Sequence, residues 1–229
     1  YLVTGAWAKK AAKEASFMGS SITIASSEDK NFNYIPKNYS IENNIDYFHV
    51  TSNNTIFGTQ IKNFYNGEIP LACDMSSDIF SRKINIEDFD LIYAGAQKNM
   101  GPAGTTLYIC KKEIFGKSSV PIPTMLDLKT HSDKDSMFNT PPVFPIYASM
   151  LNLRWLKRIG GLSYIEEQNE KKSELIYNQI DNSSLFLGTA NKEDRSSMNV
   201  TFTLTNDALN ETFNKMLVEA NINGLKGHR

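Results

Sequence analysis

Short apolar runs recur through the first half of the chain, and they constrain its fold more than any other feature. Ile22-Thr23-Ile24-Ala25, Tyr47-Phe48-His49-Val50, Ile69-Pro70-Leu71-Ala72-Cys73, Phe89 to Ala94 and Thr105 to Cys110 each have the length of a strand. Tyr1-Leu2-Val3-Thr4-Gly5 reads as the tail of another strand already under way. A helix is expected from about Trp7, because Ala8, Ala11, Ala12 and Ala15 line one face while Lys9, Lys10, Lys13 and Glu14 lie elsewhere. So small a face permits close packing on a sheet. Strands alternating with helical stretches predict an α/β fold with a mainly parallel sheet.

The pattern changes after Ser136-Met137-Phe138-Asn139-Thr140-Pro141-Pro142. Tyr147, Leu151, Trp155 and Ile159 step by four, which predicts an amphipathic helix ended by Gly160-Gly161. A more polar helix follows from Leu162 to Ile180. Met198, Val200, Phe202 and Leu204 alternate with polar residues as in a half-buried strand, and Leu209, Phe213, Met216, Leu217 and Ala220 mark a helix on top of it. We therefore expect a large domain over residues 1–160 and a small α+β domain over 161–229. The chain starts without methionine and stops in a glycine-punctuated loop, so an internal portion of a longer protein is expected, with parts of both domains beyond it.

Charge and cysteine usage narrow the function classes. A formal charge of -1 provides no net field for nucleic acid or an anionic membrane, and no run approaches the length of a membrane span. Cys73 and Cys110 sit in strand-like runs with neither a metal spacing nor a disulfide framework, which predicts reduced thiols, no metal and a cytoplasmic location.

Chemistry concentrates in Tyr93-Ala94-Gly95-Ala96-Gln97-Lys98-Asn99-Met100-Gly101-Pro102-Ala103-Gly104. One lysine is held in a glycine-rich loop between two runs read as buried strands. Desolvated in a cleft, such an amine has a lowered pKa and attacks carbonyls, and the commonest biological use of that is pyridoxal phosphate. The plainer alternative is a surface lysine on a turn. Asp74 ends the run one strand earlier, where it serves either as a turn cap or as a carboxylate facing a cationic ring nitrogen. Trp7 stands at a strand-to-helix turn, as a ligand contact or a core residue. The cluster Thr51-Ser52-Asn53-Asn54-Thr55-Ile56-Phe57-Gly58 is either turn chemistry or a source of hydroxyl and amide contacts. His49 is expected to be a core histidine.

Taken together, Gly5-Ala6-Trp7, Asn53 to Gly58, Asp74-Met75-Ser76-Ser77, Tyr93 to Asn99, Met137 to Pro142 and Gly224-Leu225-Lys226-Gly227-His228-Arg229 follow an order that resembles the phosphoserine aminotransferase family over nearly the whole chain. The resemblance implies an aspartate-aminotransferase-type fold, pyridoxal 5'-phosphate as cofactor and a homodimer with shared active sites. It implies interconversion of 3-phosphohydroxypyruvate and glutamate with O-phospho-L-serine and 2-oxoglutarate, in serine biosynthesis and in the related phosphohydroxythreonine step of vitamin B6 synthesis. By the same resemblance Lys98 bonds the cofactor and shuttles the proton, Asp74 pairs with its ring nitrogen, and Trp7 stacks on the ring. Thr55 meets the ring's polar edge and Gln97 lies by the cofactor phosphate. Asn139 and Thr140 reach that phosphate from the neighbouring subunit, and His228 and Arg229 meet the substrate's acidic groups. Two other readings stand beside it: a pyridoxal-phosphate aminotransferase of the same fold for another small amino acid, and a non-catalytic α/β assembly module.

Overall fold

The computed structural model describes residues 1–225. Strand β1 (Leu2–Val3) leads into helix α1 (Ala6–Ala15), and the chain returns to pair β2 (Ala25–Ser26) parallel to β1. β3 (Phe48–Thr51) is followed by a small antiparallel ribbon, β4 (Asn53–Asn54) and β5 (Thr59–Gln60). β6 (Leu71–Asp74), β7 (Leu91–Gly95) and β8 (Thr106–Cys110) join β3 in a four-stranded sheet of order β3-β6-β7-β8. The first three of these strands are parallel and β8 runs antiparallel to β7.

Register separates the two faces of this sheet. Phe48 pairs with Leu71, Val50 with Cys73 and Cys73 with Ile92, and all five are buried in the main apolar core. Because side chains alternate along a strand, the opposite face carries His49 together with the row Thr51, Asp74 and Tyr93, which are register partners of one another. The sheet therefore has an apolar side that holds the fold and a polar side that ends at Asp74.

Several expectations needed correction. The run Thr105–Cys110 forms a strand, but not a buried one: in β8 Tyr108 is 51% exposed, and β7 is its one ladder neighbour among the described residues. The expected strand at Ile22–Ala25 is displaced to Ala25–Ser26. Ile24 N donates to Tyr1 O (3.0 Å), so the segment already runs beside β1 before the ladder begins.

Beyond β8 come a short helix α2 (Leu128–Ser132), whose first turn is capped by Asp127 accepting from Lys129 N, then α3 (Val143–Arg158) and α4 (Gly161–Asp181). Gly160 (φ 121°) and Gly161 (φ 70°) make the corner between α3 and α4 in a backbone region that side chains disfavour. The stripe Tyr147, Leu151 and Trp155 on α3 remains exposed. The inward side of that helix is instead small and polar, with Ser149 buried against Gly101 and Asn152 Nδ2 donating to Asn99 O (3.3 Å) and Met100 O (2.9 Å). Close approach of a helix to a glycine loop favours small side chains, so this contact outweighs the apolar stripe.

The chain closes with the antiparallel pair β9 (Phe186–Gly188) and β10 (Phe202–Leu204), covered by α5 (Asn210–Glu219). Phe186, Phe202 and Phe213 pack edge-on, with ring centres 5.1–6.3 Å apart. The alternation from Met198 reaches a ladder only at Phe202. Before that, Met198 N and Asn199 N both donate to Ser196 Oγ (3.0 Å each), so a local side-chain turn replaces the ladder.

Candidate active site

The residues singled out in the first half lie where β1, β4, β6 and β7 end, the edge of an α/β sheet at which ligands bind. At the end of β1, Asn54 Nδ2 donates to Thr4 Oγ1 (3.1 Å) and to Thr59 Oγ1 (3.0 Å). A Cβ on Gly5 would lie 2.6 Å from Asn54 Oδ1, so only glycine lets the turn into α1 seat on this amide. Trp7 lies two residues beyond this contact, and Thr55 directly follows Asn54.

β7 delivers the lysine loop. Gly101 N donates to Ala96 O (2.7 Å) and Asn99 Nδ2 to Ile79 O (2.6 Å), while Asn152 holds the next two carbonyls from α3. The backbone on both sides of Lys98 is thus pinned. Its Nζ lies 5.6 Å from the centre of the Trp7 ring, within cation–π range. Lys98 itself is exposed in this chain, so the desolvation expected from the sequence is not provided by its own loop, one of whose flanking strands is an open edge. Gln97 folds back over Gly95, where a Cβ would stand 2.6 Å from Gln97 Oε1.

Asp74 forms the turn cap of its first reading. Its Oδ1 accepts from Ser76 N (2.9 Å), a turn cap, while Oδ2 has no hydrogen-bond partner among the described residues. Ser76 Oγ accepts from Gly95 N (3.1 Å) and so ties this turn to the end of β7. On the same face, buried His49 Nε2 shares a hydrogen bond with Tyr93 Oη (2.9 Å), while His49 Nδ1 and Thr51 Oγ1 have no partner among the described residues.

Burial pushes the His49 pKa down from 6.5 to about 4, against the opposing pull of Asp74. Burial likewise raises the Tyr93 hydroxyl, with the Asp74 charge adding to it. Both neighbours of Asp74 are therefore neutral near pH 7. The histidine also gives a pH signature. Above pH 6.5 it is neutral folded and unfolded; as pH falls toward 4 the unfolded chain takes the proton first, and stability falls by about 3 kcal/mol. Chemical denaturation at stepped pH should show this slope, and His49→Gln should flatten it; an unchanged slope would assign the acid sensitivity elsewhere.

Asn139 and Thr140 are exposed in the loop before α3 and make no hydrogen bond among the described residues, so this chain does not join them to Lys98. His228 and Arg229 lie outside the described residues. The polar cluster after β3 divides: Ser52, Asn53 and Asn54 are buried, the serine donating to Asp74 O and the two amides to side chains, and Thr55 alone of the four is half exposed. Sequence reasoning missed Asp78, a buried carboxylate bonded by Ser52, Gln60 and Arg82. Arg82 is four residues on, but Ser52 and Gln60 are 26 and 18 residues away, and no local pattern announces them.

The donor set comprises a primary amine, an indole face, a carboxylate oxygen with a free lone pair, a hydroxyl and an amide. It fits a flat aromatic aldehyde with a protonated ring nitrogen. No group of histidine, cysteine or carboxylate side chains suited to a metal occurs among the described residues, and no described helix is long and apolar enough to cross a membrane.

Comparison with known proteins agrees with this chemistry. The family model described as Aminotransferase class-V matches residues 1–229. Phosphoserine aminotransferases of Flavobacterium psychrophilum and Flavobacterium johnsoniae are 60% and 55% identical over 229 residues, covering 100% of this chain. The chain spans 64% of the length of those curated relatives. The structure of phosphoserine aminotransferase from Bacillus circulans subsp. alkalophilus superposes with a TM-score of 0.96 at 43% identity, over 100% of this chain and 64% of that one. The PLP-bound phosphoserine aminotransferase from Trichomonas vaginalis gives 0.93 at 30% identity, over 100% and 67%.

Proposed function

The chain belongs to the class-V aminotransferase family, and from that membership we propose that it carries the pyridoxal-phosphate site of a phosphoserine transaminase. Its fold is of the aspartate-aminotransferase type. The observation that carries the proposal is the amine of Lys98 held 5.6 Å from the Trp7 ring, with Asp74 Oδ2 open at the end of the adjacent strand. The reaction is amino transfer between O-phospho-L-serine and 2-oxoglutarate on one side and 3-phosphohydroxypyruvate and glutamate on the other. The proposal extends to the phosphohydroxythreonine step of pyridoxine synthesis and to a cytoplasmic setting.

Bound pyridoxal phosphate supplies an electron sink that acidifies the substrate Cα–H. Lys98 Nζ takes that proton and returns it, since its loop is pinned on both sides while the amine stays free to swing. Asp74 Oδ2 keeps a proton on the ring nitrogen, a charge-assisted bond worth about 1.5–3 kcal/mol. Trp7 orients the ring and keeps water from one side of it, Thr55 bonds its polar edge, and Gln97 stands by the phosphate. In this reading residues 1–160 form the cofactor domain and 161–229 the small domain. Asn139 and Thr140, exposed and unbonded within the chain, serve the partner's cofactor phosphate in a homodimer. His228 and Arg229 meet the substrate's acidic groups.

Mixing the holoprotein with one amino acid at a time tests the proposal. O-phospho-L-serine should change the visible band in a single turnover and release 3-phosphohydroxypyruvate, while serine and alanine leave the band unchanged. An equal response to alanine would place the chain with another aminotransferase of this fold. A protein with no borohydride-sensitive visible band would be an assembly module.

A further inference from the structure

Two carboxamides stand directly opposite each other in the ribbon after β3: Asn53 of β4 and Gln60 of β5 are register partners, and both are buried. Asn53 Nδ2 donates to Ser77 Oγ (3.0 Å) and to Asn199 Oδ1 (2.8 Å), and its Oδ1 accepts from Ser196 Oγ. Gln60 Nε2 donates to Asp78 Oδ2 (3.1 Å), and its Oε1 accepts from Ser197 N (3.2 Å). Gln60 Oε1 also accepts from Lys62 Nζ (2.8 Å), and an ammonium and a backbone N–H only donate, so the Gln60 amide cannot be turned round without setting donor against donor.

Ser77 and Asp78 belong to the turn that Asp74 begins. Both carboxamides therefore bridge the Asp74 turn and the segment 196–199, more than a hundred residues away in sequence: Asn53 Nδ2 donates to each, and Gln60 reaches the turn with Nε2 and the segment with Oε1. Ser77 Oγ also donates back to Asn53 O (3.1 Å), closing a reciprocal pair next to Ser76, whose N–H orients the Asp74 carboxylate. A buried amide with every partner in place cannot move without leaving a donor or acceptor unpaired, so such a clamp transmits displacement rather than absorbing it.

We propose that Asn53 and Gln60 are positioning residues: they transfer the placement of segment 196–199 onto the Asp74 carboxylate. This deepens the function proposed above and rests on Asp74 facing the cofactor's ring nitrogen. A change at Asn199, remote from the amine, then alters the electronics of the bound cofactor.

The test compares Asn199→Ala and Asn199→Asp in the holoenzyme. Asn199→Asp keeps an oxygen for Asn53 Nδ2 to bond, and Asn199→Ala removes it. The pH titration of the cofactor's visible band should shift by about half a pH unit in Asn199→Ala. Its kcat for phosphoserine should fall about tenfold with KM within about twofold, and Asn199→Asp should restore both. Parental titration and kcat in a folded Asn199→Ala, or Asn199→Asp as impaired as Asn199→Ala, would overturn the proposal. Should Asn199→Ala not fold, Ser77→Ala decides, since it cuts the other arm of Asn53: an equal shift supports the clamp and parental titration refutes it. A parent protein without a visible band would instead defeat the functional reading itself.

Discussion

Lys98→Ala should abolish the borohydride-sensitive visible band and slow transamination by about 10⁴-fold or more, since the proposed function makes Lys98 both the nucleophile and the proton carrier. Lys98→Arg should fare no better, because a guanidinium keeps the charge but does not release a proton near neutral pH. The competing amine is Lys10, whose Nζ stands 4.6 Å from the Trp7 ring centre, nearer than the 5.6 Å of Lys98. Proximity to the indole does not choose between them, but their mountings do. Lys10 projects from an exposed part of α1, whereas the Lys98 loop continues β7, the strand paired with β6 at Asp74. Mass spectrometry of the borohydride-reduced, digested holoprotein should find the pyridoxyl group on Lys98, and Lys10→Ala should retain the band. The pyridoxyl group on Lys10 would overturn the assignment.

Asp74→Asn should leave a folded protein whose transamination is slower by about 10²–10⁴-fold. The substitution separates the two functions of this side chain. An asparagine oxygen still accepts from Ser76 N, so the turn cap survives and the melting temperature should stay within a few degrees of the parent. The negative charge at Oδ2 is lost, and the neutral neighbours His49 and Tyr93 cannot replace it. Asp74→Ala should add the loss of the cap, about 1 kcal/mol, to the same catalytic defect. Parental turnover in Asp74→Asn would remove Asp74 from the chemistry, and an unfolded Asp74→Asn would make the residue purely structural.

What could be read from the sequence was what depends on near neighbours. The alanine face of α1, the strands around Val50, Cys73 and Ile92, and the helices on either side of Gly160 all follow from periodicity and turn residues, which report local backbone conformation. The candidate residues were legible as positions, because Trp7, Thr55, Asp74 and Lys98 each stand at or shortly after a strand end, where turn residues mark the boundary. Tertiary structure alone decided which strand became the exposed edge, which side of α3 faced inward, and how the strand ends are held. β8 has the composition of a buried strand yet is half exposed, with β7 its one ladder neighbour among the described residues. The stripe on α3 has helical spacing, yet the inward side was set by the space above Gly101. Asn53 looked like turn chemistry, but its partners Ser77, Ser196 and Asn199 meet it only once the ribbon has paired and the distant segment has docked. Periodicity describes a chain against itself over a few residues, whereas buried polar groups must be satisfied by whatever the fold brings within 3 Å, and that distance carries no trace in local pattern.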